Sequence, residues 1–469
     1  MTSTHLFSPE HFEFDRALIE KLDGSGPRYT SYPTADRFTG AFGEVDYRRG
    51  LVQRQQIGAN SKALSLYVHL PFCNTVCYYC GCNKIITKDV SKADTYLDYL
   101  GKEVEMVADG LKNREKVAQL HLGGGTPTFL SDAQISRLMQ TLRARFDLLP
   151  EGEFSIEIDP RKVGRETIFR LAELGFNRIS IGVQDLELQV QQAVNRVQSR
   201  EETLSVIQAA RDAGFKSVSI DLIYGLPHQT QASVARTIEQ VISMSPDRIA
   251  LYNYAHLPTL FMPQRRINEA DLPAPSVKLD ILQHSVQQLT QAGYVFIGMD
   301  HFAKPEDDLS VALRHGLLQR NFQGYSTYAD CDMLAFGVSA ISKVGPCYSQ
   351  NEKELEHYYA ALDAGRLPVM RGLTLTADDL LRASIIQALM CRFSLSFEAV
   401  EQVFDINFAD YFATELNDIR ELHQVGLLHF DGDFLTVEPK GRFLIRNIAM
   451  IFDRHLRERR TTARYSRTI

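Results

Sequence analysis

The stretch Leu64-Ser65-Leu66-Tyr67-Val68-His69-Leu70-Pro71-Phe72-Cys73-Asn74-Thr75-Val76-Cys77-Tyr78-Tyr79-Cys80-Gly81-Cys82 decides the fold. Its first seven residues are a short apolar run that reads as a strand. Pro71 follows, and then four of the chain's seven cysteines fall within ten residues. The cysteines therefore sit on the loop leaving a strand's C-terminal end, where α/β barrels place their chemistry. Cys73, Cys77 and Cys80 have the spacing Cys-x-x-x-Cys-x-x-Cys. Three thiolates so clustered can hold three irons of a [4Fe–4S] cluster and leave the fourth iron open. Zinc is the rival reading, but a structural zinc site usually draws on two ligand pairs. Cys331, Cys347 and Cys391 are scattered and make no second pair. Cys82 reads as a neighbour of the cluster rather than a ligand, because the open iron must stay free.

Outward from this loop, β-rich runs at 64–70, 117–122, 154–159, 177–183, 216–224 and 247–255 alternate with amphipathic stretches. Those stretches lie at 91–112, 131–146, 165–174, 201–213, 230–243 and 276–292, and weaker β runs lie near 294–299 and 334–341. Such alternation builds a parallel sheet with right-handed crossovers. Six units are too few for a closed eight-stranded barrel. An α/β fold is expected, an open partial (β/α)6 barrel over 61–350, with an N-terminal extension at 1–60 and a mainly helical domain at 351–469. In that last region, 351–365, 376–392 and 408–425 read as helices, and 426–437 reads as a hairpin around Asp431-Gly432. The order is winged-helix-like. It lacks an obvious basic recognition face, which favours a lid or docking domain over a DNA binder; the basic segment 454–467 reads as a solvated helix end and tail.

Composition narrows the class. The 469 residues are 44% hydrophobic and 23% charged, ordinary for a globular chain. A net charge of −7 gives no general reason to expect nucleic acid or an anionic membrane as partner. No apolar run reaches the roughly 18 residues of a membrane span. Glu10, Glu13 and Asp15 are at odds with a secretory signal. An odd, clustered set of cysteines suits a reducing compartment, so a cytoplasmic protein is expected.

Further motifs fall near the ends of the predicted strands. His121-Leu122-Gly123-Gly124-Gly125-Thr126-Pro127-Thr128 is either a tight strand-to-helix turn or a backbone surface that a ligand can approach closely. It is neither a dinucleotide fingerprint nor a Walker loop. Glu157, Gln184, Asp221, Asn253 and Tyr254 lie within or at the end of successive β runs. Each could be an outward-facing position; their recurrence favours a shared ligand. The extended stretch Gly26-Pro27-Arg28-Tyr29-Thr30-Ser31-Tyr32-Pro33-Thr34 reads either as a tail packed across the barrel or as a substrate lid suited to a carboxylated ligand.

Together, the cysteine loop, the Gly-Gly-Gly-Thr-Pro strand end and the six-unit barrel resemble the radical S-adenosylmethionine (SAM) superfamily. The whole chain is similar to its oxygen-independent coproporphyrinogen III oxidases. That likeness rests on Arg28–Thr34, Cys80-Gly81-Cys82-Asn83-Lys84, Asp221-Leu222-Ile223-Tyr224-Gly225-Leu226-Pro227, Gly298-Met299-Asp300-His301-Phe302 and Asn321-Phe322-Gln323-Gly324-Tyr325. The resemblance implies Cys73, Cys77 and Cys80 as cluster ligands, with SAM on the open iron. It places Tyr67, Tyr79, Gly124, Glu157 and Ile341 around that SAM. Gly125, Thr126, Gln184, Arg196, Asp221 and Ala255 fall around a second SAM site, with Cys82 and Arg28 as auxiliary residues. The implied reaction converts two propionates of coproporphyrinogen III to vinyl groups through a 5′-deoxyadenosyl radical, giving protoporphyrinogen IX in haem biosynthesis. Such a reaction needs an electron donor and an acceptor, which the sequence does not identify, and a monomer is expected. A haem-trafficking relative would lack the Gly81-Cys82 extension and the Arg28–Pro33 tail; both are present. Radical methyl transfer and a DNA regulator are the remaining alternatives.

Overall fold

The computed structural model describes residues 13–22, 24–56, 62–111, 113–328 and 331–458, which divide into two compact units. Residues 37–274 and 330–374 form the first; 1–36, 275–329 and 375–469 belong to the second. Both are discontinuous in sequence. The expected boundaries at 60 and 350 therefore fall inside the first unit. Residue 112 of one expected helix and the tail from 459 onward lie outside the described residues, as do Glu10 and the rest of 1–12.

The first unit is built on β1 (Leu64–Leu70), β2 (Lys116–Gly124), β3 (Asp147–Ile158), β4 (Arg178–Gln184), β5 (Ser217–Tyr224) and β6 (Arg248–Asn253). These six pair in parallel, each with the next. β1 is buried at all but one of its positions. Cover on both faces is why it reads as a continuous apolar run rather than an alternating one. Beyond β1 the sheet continues through β7 (Met333–Phe336), β8 (Ile341–Val344), β9 (Cys347–Asn351) and β10 (Val369–Thr374). β7 is parallel to β1, and the last three strands run antiparallel in succession.

The helices of this unit are α1 (Glu44–Gln56), α2 (Ser91–Asp109), α3 (Asp132–Arg145), α4 (Arg165–Glu173), α5 (Leu188–Ala193), α6 (Arg200–Asp212), α7 (Gln231–Met244) and α8 (Leu355–Asp363). Reciprocal capping boxes start three of them: Ser131 with Gln134 for α3, Ser199 with Glu202 for α6 and Thr230 with Ser233 for α7. Each box satisfies two otherwise orphaned N–H groups and fixes where the strand-to-helix loop ends.

Four expectations need correction. α1 arises in a stretch that shows little periodicity. The weak run at 334–341 is two strands, because Gly337 (φ 97°) and Ser339 (φ 59°) turn the chain between β7 and β8. The helix expected from 351 begins at Leu355; Asn351 ends β9. β10 was not expected, since its pairing of Gly372 with Ser349 is long-range and its local pattern is mixed.

The second unit holds helices Pro275–Gln291, Asp308–Arg314, Ala377–Arg392, Phe397–Phe404 and Ala413–Gln424. The β run expected near 294–299 belongs here, as Val295–Gly298 paired antiparallel with His301–Ala303. Ser394–Ser396, Phe434–Val437 and Leu428–Phe430 make a three-stranded antiparallel sheet, with the expected hairpin closing at Gly432 (φ 106°). The 26–34 stretch is part of this unit's own core. Tyr29 and Tyr32 are both 3% exposed; the Tyr29 hydroxyl donates to Asp453 Oδ2 at 3.0 Å, and the Tyr32 hydroxyl accepts from the Arg454 N–H at 3.2 Å.

Candidate active site

The cysteine loop is fastened at its base and along its length. Phe72–Cys73 pairs in parallel with Ile85–Ile86, so the Ile85 N–H reaches Pro71 O at 2.7 Å and the Thr87 N–H reaches Cys73 O at 3.0 Å. Further along, the Tyr78 N–H donates to Val194 O at 3.0 Å, and Asn195 Nδ2 donates to Val76 O at 2.7 Å. Gln264, 2% exposed, donates from Nε2 to Tyr79 O at 3.0 Å and to Ala255 O at 3.3 Å. A loop so held presents its thiols from a fixed frame.

The Gly123-Gly124-Gly125 turn serves that frame. A Cβ on Gly125 would meet Pro71 O at 2.6 Å and Phe72 O at 2.8 Å. The Gly125 N–H donates to Leu70 O at 2.8 Å and the Thr126 N–H to Phe72 O at 2.9 Å. The end of β2 thus lies flush against the start of the cysteine loop, which only glycine permits at that distance. Gly124 (φ 120°) takes a left-handed conformation beside it, and its N–H donates to Glu157 Oε2 at 3.3 Å. Close packing of protein on protein explains Gly125, and both glycines also line the cavity.

That cavity, of about 170 Å³, is far larger than the roughly 10–15 Å³ that one water needs. It brings together Cys73, Cys77, Cys80, Cys82, Tyr79, Gly124, Gly125, Thr126, Glu157, Gln184, Arg196 and Asp221. Lys84, Asp159, Arg161, Lys162 and Ser180 also line it, and none of these was singled out from sequence as a site residue. Arg196 holds one corner, with Nη2 donating to Gly182 O at 2.6 Å, Nη1 to Cys77 Sγ at 3.7 Å, and Asp159 Oδ2 3.6 Å from Nη1. Asp159 is in turn clasped by Arg161 at 2.6 Å, and these charges keep its carboxyl below its ordinary range despite burial. Burial, then Glu157, pushes Asp221 up to about 7, although the Ser180 hydroxyl donates to it at 3.0 Å.

Tyr67, Asn253, Tyr254, Ala255, Ile341 and Arg28, all singled out from sequence, lie outside the lining. The Tyr67 hydroxyl bonds His69 Nδ1 at 3.1 Å, and its ring stacks on His121 with centroids 5.9 Å apart. His121 Nε2 is 3.3 Å from Glu157 Oε1, so Tyr67 reaches the cavity wall through one intermediary. Ala255 contributes its carbonyl to Gln264, and Ile341 opens β8 opposite Gln350. Arg28 belongs to the second unit, where its guanidinium pairs with Asp300.

A profile described as the radical SAM superfamily matches residues 67–241, and one described as the HemN C-terminal domain matches 375–444. The chain is 49% identical over 462 residues to the oxygen-independent coproporphyrinogen III oxidase of Escherichia coli strain K12, covering 98% of this chain and 100% of that one. It belongs to the oxygen-independent coproporphyrinogen III oxidase family. The family's member from Pseudomonas aeruginosa strain PAO1 is also 49% identical, over 94% of this chain and 96% of its own. The solved structure of the Escherichia coli coproporphyrinogen III oxidase, described as a radical SAM enzyme, matches with a TM-score of 0.91 over 95% of this chain and 100% of that one.

Radical SAM family membership carries a [4Fe–4S] cluster and SAM with it, and the residues present fit both. The thiols of Cys73, Cys77 and Cys80 line one cavity with that of Cys82, and the hydrogen bond from Cys82, helped by Lys84, lowers the Cys80 thiol to about 6 against the opposing effect of burial. Among the described residues no three His, Cys, Asp or Glu side chains converge as a single metal ion requires. Thiols spread around a cavity suit a cluster, in which each meets a different iron. The same cavity offers carboxylates, two guanidiniums and backbone groups to a ligand bearing ammonium, carboxylate and hydroxyls. The described residues include no helix long and apolar enough to cross a membrane.

Proposed function

We propose that this chain carries out the oxygen-independent oxidative decarboxylation of two propionate side chains of coproporphyrinogen III, giving protoporphyrinogen IX in haem biosynthesis. The observation that carries this reading is the cavity itself: Cys73, Cys77 and Cys80 share it with Gly124, Glu157 and Asp221 at the C-terminal ends of the parallel strands. Cys73, Cys77 and Cys80 would hold the cluster. When bound, the cluster and SAM supply a carbon-centred radical able to take hydrogen from an unactivated carbon, a step no side-chain acid or base performs. On its way to a vinyl group, each propionate gives up one β-hydrogen atom, CO2 and one electron.

The chain's own residues position and exclude. The Glu157 carboxylate, fixed by the Gly124 N–H and His121, presents negative charge to a SAM ammonium. Tyr67 supports it from behind through the His121 ring. Tyr79 lines the cavity with the cysteines, and it and Ile341 would belong to the same first SAM site. A second SAM site would draw on Gly125, Thr126, Gln184, Arg196, Asp221 and Ala255. The Gly125 N–H already bonds the end of β1 and the Thr126 N–H the cysteine loop, so contacts there would use the Thr126 hydroxyl, the Gln184 amide and the Asp221 carboxyl. Cys82 is an auxiliary group beside Cys80, and Arg28 a substrate contact. The reading includes a monomer in the cytoplasm, where seven free thiols are compatible with the redox poise. It also requires a one-electron donor and an acceptor.

The test is anaerobic reconstitution with iron and sulfide, then reductant, SAM and coproporphyrinogen III. Vinyl product and CO2 are expected. A verified cluster that cleaves SAM but leaves the propionates intact would overturn the assignment, and a methylated product would replace it with methyl transfer.

A further inference from the structure

In the second unit, three arginines from separate parts of the sequence gather around one acid. Arg28 pairs with Asp300. Arg446, 3% exposed, donates from Nε to Pro27 O at 2.9 Å and from Nη2 to Gly26 O. Arg320, 7% exposed, donates from Nε to Arg28 O at 3.3 Å, and its guanidinium lies 4.7 Å from the centroid of the Tyr325 ring. Two buried guanidiniums thus grip three successive carbonyls of the 26–34 stretch, and the third extends from the same turn.

Holding a backbone turn does not require this much charge. Arg320 Nη1 is buried and has no hydrogen-bond partner among the described residues. A buried cationic donor left unpaired is costly, and a carboxylate is the group that pairs best with a guanidinium. Arg446 is held down to about 10, by burial first and then by Arg28, with Arg320 adding to it; Asp300 attracts it without restoring it. Three guanidiniums meet at this turn and one carboxylate is paired with them, so an incoming anion would balance the excess of cations. Arg28 and Asp300 are the partly open members, with side chains 32% and 13% exposed.

We propose that Arg28, Arg320 and Arg446, gathered about Asp300, form a recognition subsite for carboxylates of the substrate. This rests on the proposed function, under which the substrate is a tetracarboxylate whose two unreacted propionates remain as carboxylates in the product. The subsite holds such a carboxylate through Arg28 at its open edge. Arg320 and Arg446 fix the Arg28 backbone and supply background charge, and Asp300 orients Arg28 while competing with the ligand for it. That competition separates recognition from a merely structural ion pair, because the two partners then have opposite effects on binding.

The experiment is fluorescence titration of the reconstituted protein with coproporphyrin III, the stable oxidised form of the substrate, and with its neutral tetraamide. Arg28→Gln is expected to weaken binding of the acid roughly tenfold or more while leaving the tetraamide unchanged. Asp300→Asn is expected to bind the acid at least as tightly as the parent, and Arg28→Lys to recover part of the loss. Thermal unfolding of each variant controls for folding, and Arg28→Lys alone carries the test if Arg28→Gln does not fold. Equal weakening by Arg28→Gln and Asp300→Asn, or acid binding unaffected by Arg28→Gln, would overturn the subsite. Product assays keep the two readings apart. Vinyl formation with unaltered affinity in Arg28→Gln removes the subsite and leaves the function standing. Charge-dependent binding without vinyl product does the reverse.

Discussion

Two acids in the barrel unit, the buried Glu103 and the half-buried Asp221, are both pushed up to about 7, chiefly by desolvation, yet their surroundings are opposite. Glu103, in the wall between α2 and β7, accepts from the Gly337 N–H at 2.8 Å, Asn351 Nδ2 at 2.6 Å and the Tyr358 hydroxyl at 2.6 Å. Beside it, the Tyr96 hydroxyl donates to His69 O at 2.7 Å and accepts from the Val338 N–H at 3.1 Å. Asp221, in the cavity, accepts from Ser180 and faces a second carboxylate, Glu157. The wall uses its donors to satisfy its own acid, which rigidifies the strand ends. The cavity leaves carboxylate oxygens for a ligand to satisfy. A buried acid rich in internal donors is architecture; one short of them beside three cysteines is a binding group.

The contrast can be broken most sharply at the cysteines. Cys73→Ser, Cys77→Ser or Cys80→Ser should each reduce bound iron and turnover to background while the chain still unfolds cooperatively; retained cluster in any of them would remove that thiol from the ligand set. Next in size, Glu103→Ala strands three buried donors and should destabilise the protein by roughly 3 kcal/mol or more, measured by denaturant unfolding. A loss confined to activity would place Glu103 with the cavity instead.

Third comes pH. Both acids have folded pKa values raised above their ordinary 4.5 and 3.8. The folded state therefore holds its protons more tightly than the unfolded chain. Each contributes stability that is fully present below about pH 4 and is lost as pH rises through about 7. Glu103→Gln and Asp221→Asn should each flatten the fall of melting temperature between pH 5 and 7.5. Cluster and SAM should alter only the Asp221-dependent part; an equal change in both would erase the distinction. Smaller still, Tyr358→Phe should cost about 1 kcal/mol. Cys82→Ser should leave cluster content unchanged while lowering turnover, and cluster loss would make Cys82 a ligand.

Much of this was legible in the chain. The strand-helix alternation gives β1 to β6 and the helices that follow them, because parallel strands covered on both faces carry continuous apolar runs and their helices carry one apolar stripe. The cysteine spacing points to the cavity's chemistry. Most of the residues assigned from family resemblance meet there, since they lie at the same ends of adjacent strands. The antiparallel part, β8 to β10, was hidden: Ser349, Gln350 and Asn351 are buried polar residues whose partners come from far along the chain. Glu103 did leave a trace. It falls on the stripe Tyr96, Leu100, Val104 and Val107 of α2, where a charged residue interrupts a buried face. Arg161 and Lys162 left none, because a cation just beyond a strand looks solvated until its neighbours are known. The discontinuous second unit was equally invisible, since 26–34, 294–303 and the C-terminal helices meet only in three dimensions.

The most direct measurement is product analysis under strict anaerobiosis, with cluster content verified by iron and sulfide assay. The account predicts that coproporphyrinogen III gains two vinyl groups and releases two CO2 in a manner dependent on both SAM and reductant. SAM cleavage by a fully loaded cluster, with all four propionates still in place, would contradict it.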